Sequence, residues 1–204
     1  MVFNKNIKLS IIGTRGIPAS YGGFETSVEE TGKRFVKKGI KTDIYCRTNH
    51  YKKKLNSHKN SNLIYVWSPR SKYLDTIIST FLSILILIRN QSDIVIMYGV
   101  GNSLLIPILK IFQIPVISVV DGADWERNKW GYFSKLYLRV NSFFAVKFAE
   151  TVIVDSMIVK LKYKNKYNYN CKYIQYGFTS FNKYNKKILF VYFLLKMRII
   201  LLIF

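Results

Sequence analysis

An α/β fold, a Rossmann-like doubly wound parallel sheet, is predicted by three features of the sequence. Apolar runs of strand length recur along the chain, most of them rich in β-branched residues. Stretches with helical spacing of apolar residues separate them. The loops that follow the runs carry the glycines and acids, as expected where right-handed crossovers bring every strand-to-helix loop to one edge of a sheet.

The elements follow in order. Strands are expected at residues 7–12, 42–46, 63–67, 94–98, 116–120 and 151–154. Each is short and mostly apolar, as buried parallel strands are. Helices are expected at 25–38, 75–89, 103–112, 133–149 and 156–166, each opening near a polar or acidic residue. Residues 77–88 are almost all apolar but fall short of the ~20 needed to span a bilayer. A buried crossover helix is the simpler reading, with membrane docking as its alternative, since Tyr73 and Arg89 flank the run.

A chain of 204 residues suits one domain or a little more. Half of it is apolar, which excludes a disordered chain. The formal net charge of +21 favours anionic partners, but a Lys- and Asn-rich surface without a function would give the same number. Charge is also the only feature pointing to nucleic acid: zinc-finger spacing, an RNP-like string and a basic recognition helix are all missing, so no nucleic-acid partner is expected. Cys46 and Cys171 lack metal or redox spacing and read as reduced, half-buried residues. His50 and His58, in a Lys-rich stretch without acidic sequence neighbours, read as exposed, and neither a metal nor a cofactor is expected. The opening residues make a poor signal peptide and a good first strand, which points to the cytoplasm.

Three loops carry the chemistry: GTRGIPASYGGFE after the first strand, YGVGNS after the fourth and DGADWERNKWG after the fifth. In the first, Gly13, Gly16, Gly22 and Gly23 let backbone approach a ligand, and free amides at the start of the following helix attract phosphate. The spacing is neither the dinucleotide fingerprint nor a Walker loop, so a simple glycine-rich turn stands beside the phosphate reading. Arg15 is placed to neutralise a diphosphate, or lies as a surface guanidinium beside the turn. Asp121, directly after a buried strand, reads as a general base or hydroxyl acceptor, or as a turn former before Gly122. Glu25 and Glu29 open a helix, where the dipole favours acids; sugar binding is the second reading. Trp125 and Trp130, interleaved with Arg127 and Lys129, suit stacking on a sugar or packing in the core.

The string GTRGIPASYGGFET, continued by Val28 and Glu29, resembles the opening of the rhamnosyltransferase-type branch of glycosyltransferase family 4, with its DUF1972-like N-terminal domain. Asp121 and Gly122, then Trp125, Arg127, Lys129, Trp130 and Gly131, resemble the same branch's DGxEWxRxKWG segment. Val154, Asp155 and Ser156, with Tyr176 and Gly177, form a weaker match to its ADS and IPYG signposts. Three positions depart from the pattern: Asp124 replaces Glu, Glu126 a basic residue, and Gln175 the proline before Tyr176.

The resemblance implies the N-terminal, acceptor-side half of a GT-B fold over residues 1–178, with residues 179–204 an aberrant apolar and basic tail, frameshifted or membrane-associated. It implies transfer of a deoxyhexose, rhamnose, from a nucleotide sugar such as dTDP-rhamnose to a lipid-linked saccharide of surface polysaccharide. The alternative is a non-catalytic remnant or partner-binding module. In the family a carboxylate pair on the second half holds the donor; no acidic pair follows Phe178, so a truncated chain with little donor affinity is expected. The substrate residues implied are Gly13, Thr14, Arg15, Gly16, Gly22, Gly23, Glu25, Asp124, Trp125, Arg127 and Lys129, with Asp121 catalytic. A lipid-linked acceptor further implies peripheral attachment to the anionic inner face of the cell membrane. Lys52, Lys53 and Lys54 beside Tyr51 are candidates for that contact, or a solvated loop.

Overall fold

The structure, a computed structural model, describes residues 7–20, 22–71, 74–127 and 130–175. Lys129, Tyr73, Tyr176, Gly177 and the tail 179–204 lie outside the described residues.

The strands are β1 (Lys8–Ile12), β2 (Lys41–Arg47), β3 (Ser57–His58), β4 (Ser61–Val66), β5 (Ile94–Tyr98), β6 (Val116–Val120), β7 (Thr151–Val154) and β8 (Lys172–Tyr173). The helices are α1 (Gly23–Lys37), α2 (Leu74–Arg89), α3 (Ile106–Ile111), α4 (Tyr132–Phe148) and α5 (Met157–Tyr167). They form one sheet in the order β3-β4-β2-β1-β5-β6-β7-β8, parallel throughout except for the edge pair β3–β4. The α/β, Rossmann-like expectation is therefore met. The chain runs outward from β1 through β2 to β4, then crosses back to β5 on the other side of β1. A crevice opens at such a reversal, outside the carboxyl ends of the two central strands.

The central strands are apolar on both sides because both are covered. Leu9, Ile11 and Ile44 face α1 with Val28, whereas Ile12, Val95 and Met97 face α2 and α3 with Ile84, Leu87 and Leu109. Each such side chain, fully removed from water, contributes roughly 1.5–3 kcal/mol. A third cluster joins β6 and β7 to α4 and α5 through Leu138, Ala145, Val159 and Tyr163. Helix α1 stops where Gly39, at φ +80°, turns the chain: the Lys38 and Gly39 N–H groups donate to the Phe35 and Val36 carbonyls.

Sequence and structure part company at three places. The helix expected at 103–112 is divided into a 3-10 turn, Val100–Leu105, and the short α3, because Pro107 at the start of α3 cannot donate to the turn before it. β3 and β8 span two residues each, too few for any alternation to register. His50 is exposed as expected and His58 only partly so, but neither is isolated: His50 Nε2 lies 3.2 Å from Asp75 and His58 Nε2 3.2 Å from Glu29, acids brought in from α2 and α1 by the fold.

Candidate functional site

A cleft of about 540 Å³ opens at the carboxyl edge of the sheet. Its walls come from the loops after β1, β5, β6 and β7 and from the N-terminus of α1: Gly13, Thr14, Arg15, Gly22, Gly23 and Glu25 on one bank, Gly99, Gly101, Asn102, Asp121 and Asp155 on the other. The glycine-rich and the Asp121 segments, more than a hundred residues apart in the chain, border the same space.

The glycines divide by role. Gly13 has φ +94°, and a Cβ there would stand 2.2 Å from the Tyr98 carbonyl oxygen. Gly16 has φ +113°, and its Cβ would stand 2.7 Å from Cys46 Cα. Close approach of the loop to β5 and β2 therefore requires glycine at both positions. Gly16 lies behind the wall; Gly22 and Gly23 line it, and space is open at Gly23. Gly22 caps α1 with no side-chain hydrogen bond, and the first turn of this 15-residue helix borders the cleft.

Two residues passed over in the sequence hold the first loop in place. Arg47, buried at the end of β2, donates from Nη1 to Asp75 Oδ2 at 2.9 Å and from Nη2 to the Gly13 carbonyl at 3.2 Å. Burial pulls its pKa down and Asp75 partly restores it. Burial pushes the Asp75 carboxyl up, but Arg47 and His50 outweigh it and hold it below the ordinary range. Asn102, also buried, donates from Nδ2 to the Tyr98 carbonyl at 2.9 Å and accepts from Thr80 Oγ1 at 3.2 Å. Its signal was the YGVGNS loop; Arg47 gave none, since a strand-ending arginine reads as surface.

The acids on the far bank are in a different state. Burial raises the Asp121 carboxyl, and Asp124 and Asp155 push it further, against a weaker pull from Arg127. Asp155 Oδ1 is shut from solvent with no hydrogen-bond partner among the described residues. Asp155, read only as part of a motif, joins Asp121 in the cleft because β6 and β7 are adjacent strands whose ends coincide.

Trp125 is corrected from sugar-stacking to core: it is 2% exposed and packs edge-on against Tyr163 and Tyr167, its indole covered by Lys166 Nζ at 4.7 Å. Asp124 and Arg127 likewise stand outside the cleft wall, engaged with each other at 2.9 Å across one 3-10 turn (Asp124–Glu126) and its end. Glu25 is buried and lines the cleft in the first turn of α1. Glu29 is not a cap: it accepts from Ala19 N–H at 2.7 Å and pairs with Lys59.

Beside the polar cleft, sharing Thr76 and Gly101 with it, lies an apolar groove of about 420 Å³ lined by Leu74, Ile77, Trp130, Phe133, Tyr137 and Leu138. No helix among the described residues is long and apolar enough to cross a membrane.

A model of the family described as a domain of unknown function, DUF1972, matches residues 6–179. The chain belongs to the DUF1972 family. The DUF1972 chain also has the fold of solved glycosyltransferase structures, at low identity. It is similar to sucrose-phosphate synthase from Thermosynechococcus elongatus (TM-score 0.61, 13% identity, covering 83% of this chain and 46% of that one). It is similar to HepE from Anabaena in complex with UDP and glucose (TM-score 0.55, 14% identity, 84% and 45%). A third is UGT2 of Phytolacca americana, complexed with UDP-2fluoro-glucose and pterostilbene (TM-score 0.55, 12% identity, 86% and 55%). The chain thus spans about half the length of these proteins. No curated protein matches its sequence.

Proposed function

We propose that this DUF1972 chain is the acceptor-side domain of a GT-B glycosyltransferase, working against a donor-binding domain that faces the carboxyl edge of its sheet. The observation that carries the reading is the single cleft bordered by the uncapped start of α1 and by Asp121 and Asp155. In it, the Gly22–Gly23 amides and Arg15 meet the diphosphate of a nucleotide sugar, where negative charge grows as the sugar leaves. Asp121 accepts the proton or hydrogen bond of the acceptor hydroxyl; its raised pKa brings it nearer to the working pH of a general base. Asp155 fixes a second hydroxyl.

The finer assignment rests on the sequence motifs: a deoxyhexose, rhamnose, donated as dTDP-rhamnose and transferred with retention to a lipid-linked saccharide at the inner face of the membrane. The apolar groove beside the cleft suits an acceptor with a greasy portion next to its reacting sugar. Calorimetric titration of the chain with a lipid-diphosphate-linked saccharide tests it. Binding that weakens at least tenfold in Asp121→Asn supports the reading; absence of binding, or a preference for duplex or single-stranded nucleic acid, removes it.

A second reading, a non-catalytic acceptor-binding module, is favoured by the apolar groove beside the cleft, which offers an acceptor a site of its own. The two separate on addition of a donor-binding domain: transfer of labelled sugar supports the enzyme, and tight acceptor binding without transfer supports the module.

A further inference from the structure

Helix α4 is built inside out. Two of its four buried residues are polar, Asn141 and Ser142, alongside Leu138 and Ala145. Both polar side chains are satisfied within the protein: Asn141 Oδ1 accepts the Leu104 N–H at 3.0 Å, and Ser142 Oγ donates to the Leu138 carbonyl at 2.8 Å. Facing outward at helical spacing stand Tyr132, Phe133, Leu136, Val140 and Phe143, with Phe133 83% and Tyr132 76% exposed. A surface helix of a water-soluble domain carries the opposite pattern, and an uninterrupted apolar stripe marks a surface that meets something.

Geometry and charge narrow what that is. The 17 residues of α4 extend about 25 Å, from the carboxyl edge of the sheet where the cleft opens back to the far edge. A domain facing the cleft mouth covers one end of the stripe and not its length. No acid occurs in α4, and Lys135, Arg139 and Lys147 stand along it, the last with Nζ 5.5 Å from the Phe143 ring. The neighbouring α5 also lacks acids and holds Lys160, Lys162, Lys164 and Lys166. Protein interfaces are depleted in lysine, whereas a layer of anionic headgroups over acyl chains takes cations and aromatics together.

We propose that α4 docks the domain on an anionic bilayer, with Phe133, Leu136 and Phe143 in the headgroup–acyl boundary and the flanking cations among the phosphates. The inference rests on the membrane association proposed above and deepens it by naming the surface. It sets the α4 side of the cleft, at the N-terminal end of the helix, beside the membrane surface, where a lipid-linked hydroxyl arrives, and leaves the mouth to the donor-binding domain. The Lys52–Lys54 run is the competing contact.

The test is co-sedimentation of the full chain with vesicles of phosphatidylcholine alone or mixed with phosphatidylglycerol, for wild type, Leu136→Glu, Phe143→Glu and Lys52→Glu/Lys53→Glu. The α4 substitutions replace exposed side chains outside the cleft, and thermal melting checks that they fold. Expected are binding to the phosphatidylglycerol vesicles, a loss of roughly tenfold or more in each α4 variant, and little change in the lysine double variant. Undiminished recruitment of the α4 variants, as residues 188–204 or the lysine run would give, overturns the surface while leaving membrane association standing. No binding to either vesicle overturns both. Loss of a dimer in the α4 variants with unchanged vesicle binding assigns the stripe to a second copy and also overturns it.

Discussion

The acids behind one bank of the cleft and those in the wall of the other are treated in opposite ways. Behind the α1 and β2 bank, Asp75 is held by Arg47 and His50, and Glu29 by Lys59, His58 and the Ala19 amide. On the β6 and β7 bank, burial and the charges of Asp124 and Asp155 raise Asp121 against a pull from Arg127, and Asp155 keeps an oxygen with no hydrogen-bond partner among the described residues. Paired charges give a loop its shape, whereas an unpaired carboxylate is a cost to the fold that a bound hydroxyl can offset. The first bank is therefore read as scaffold and the second as reagent.

The widest gap between the banks is expected at Asp121. With a donor-binding domain present, Asp121→Asn should lower transfer by about 10²–10⁴-fold, the usual worth of a positioned base. It should not lower the melting temperature at neutral pH. A carboxyl whose folded pKa lies above its unfolded value is stabilised by its proton, so its charge weighs against the fold at pH 7 and its removal raises Tm. Kinetics and a melting curve on one sample decide it; normal activity with a reduced Tm would make Asp121 scaffold and erase the contrast.

Arg47→Met probes the other bank and reverses the pattern. It leaves Asp75 mostly buried without its guanidinium and frees the Gly13 carbonyl, so a loss of about 3 kcal/mol in urea unfolding is expected. Gly16→Ala comes next, at about 2 kcal/mol, because φ +113° strains any side chain and the Cβ would meet Cys46. Acceptor affinity per folded molecule should survive Gly16→Ala if the glycine serves packing alone, which calorimetry below the unfolding transition reads.

How far the sequence foretold this site follows from how local each signal is. Strands and helices were legible because apolar periodicity is a property of neighbours: the ranges 94–98, 116–120 and 151–154 coincide with β5, β6 and β7. The loops were legible because glycines and acids concentrate after those strands. Which side chains face the cleft was not, since it depends on sheet order. Asp124 and Trp125 stand three and four residues from Asp121 yet stay outside the cleft wall, while Asp155 arrives from the next strand and Arg47 from across the sheet. The acidic partners of His50 and His58 were hidden for the same reason, since no sequence window around either histidine contains them.

The smallest effect is expected at Glu29, and its sign distinguishes the banks most cleanly. Burial pushes this carboxyl up, but Lys59, the Ala19 N–H and His58 together hold it down to about 2, against an ordinary 4.5. A depressed folded pKa means that the unfolded chain takes the proton first. The stabilisation is thus fully present above pH 4.5 and drains away as pH falls from 4.5 toward about 2. Because Lys59 is partly solvated, its worth is roughly 1–2 kcal/mol rather than the full shift. Glu29→Gln should flatten the fall in unfolding free energy across that window and cost about 1 kcal/mol at pH 7. Asp121→Asn acts with the opposite sign: it removes a penalty that sets in as pH rises through the unfolded carboxylate range. Two acid-to-amide substitutions, one behind the first bank and one in the wall of the second, should therefore move stability at neutral pH in opposite directions, and matching directions would mean that the two sets of acids do not differ in kind.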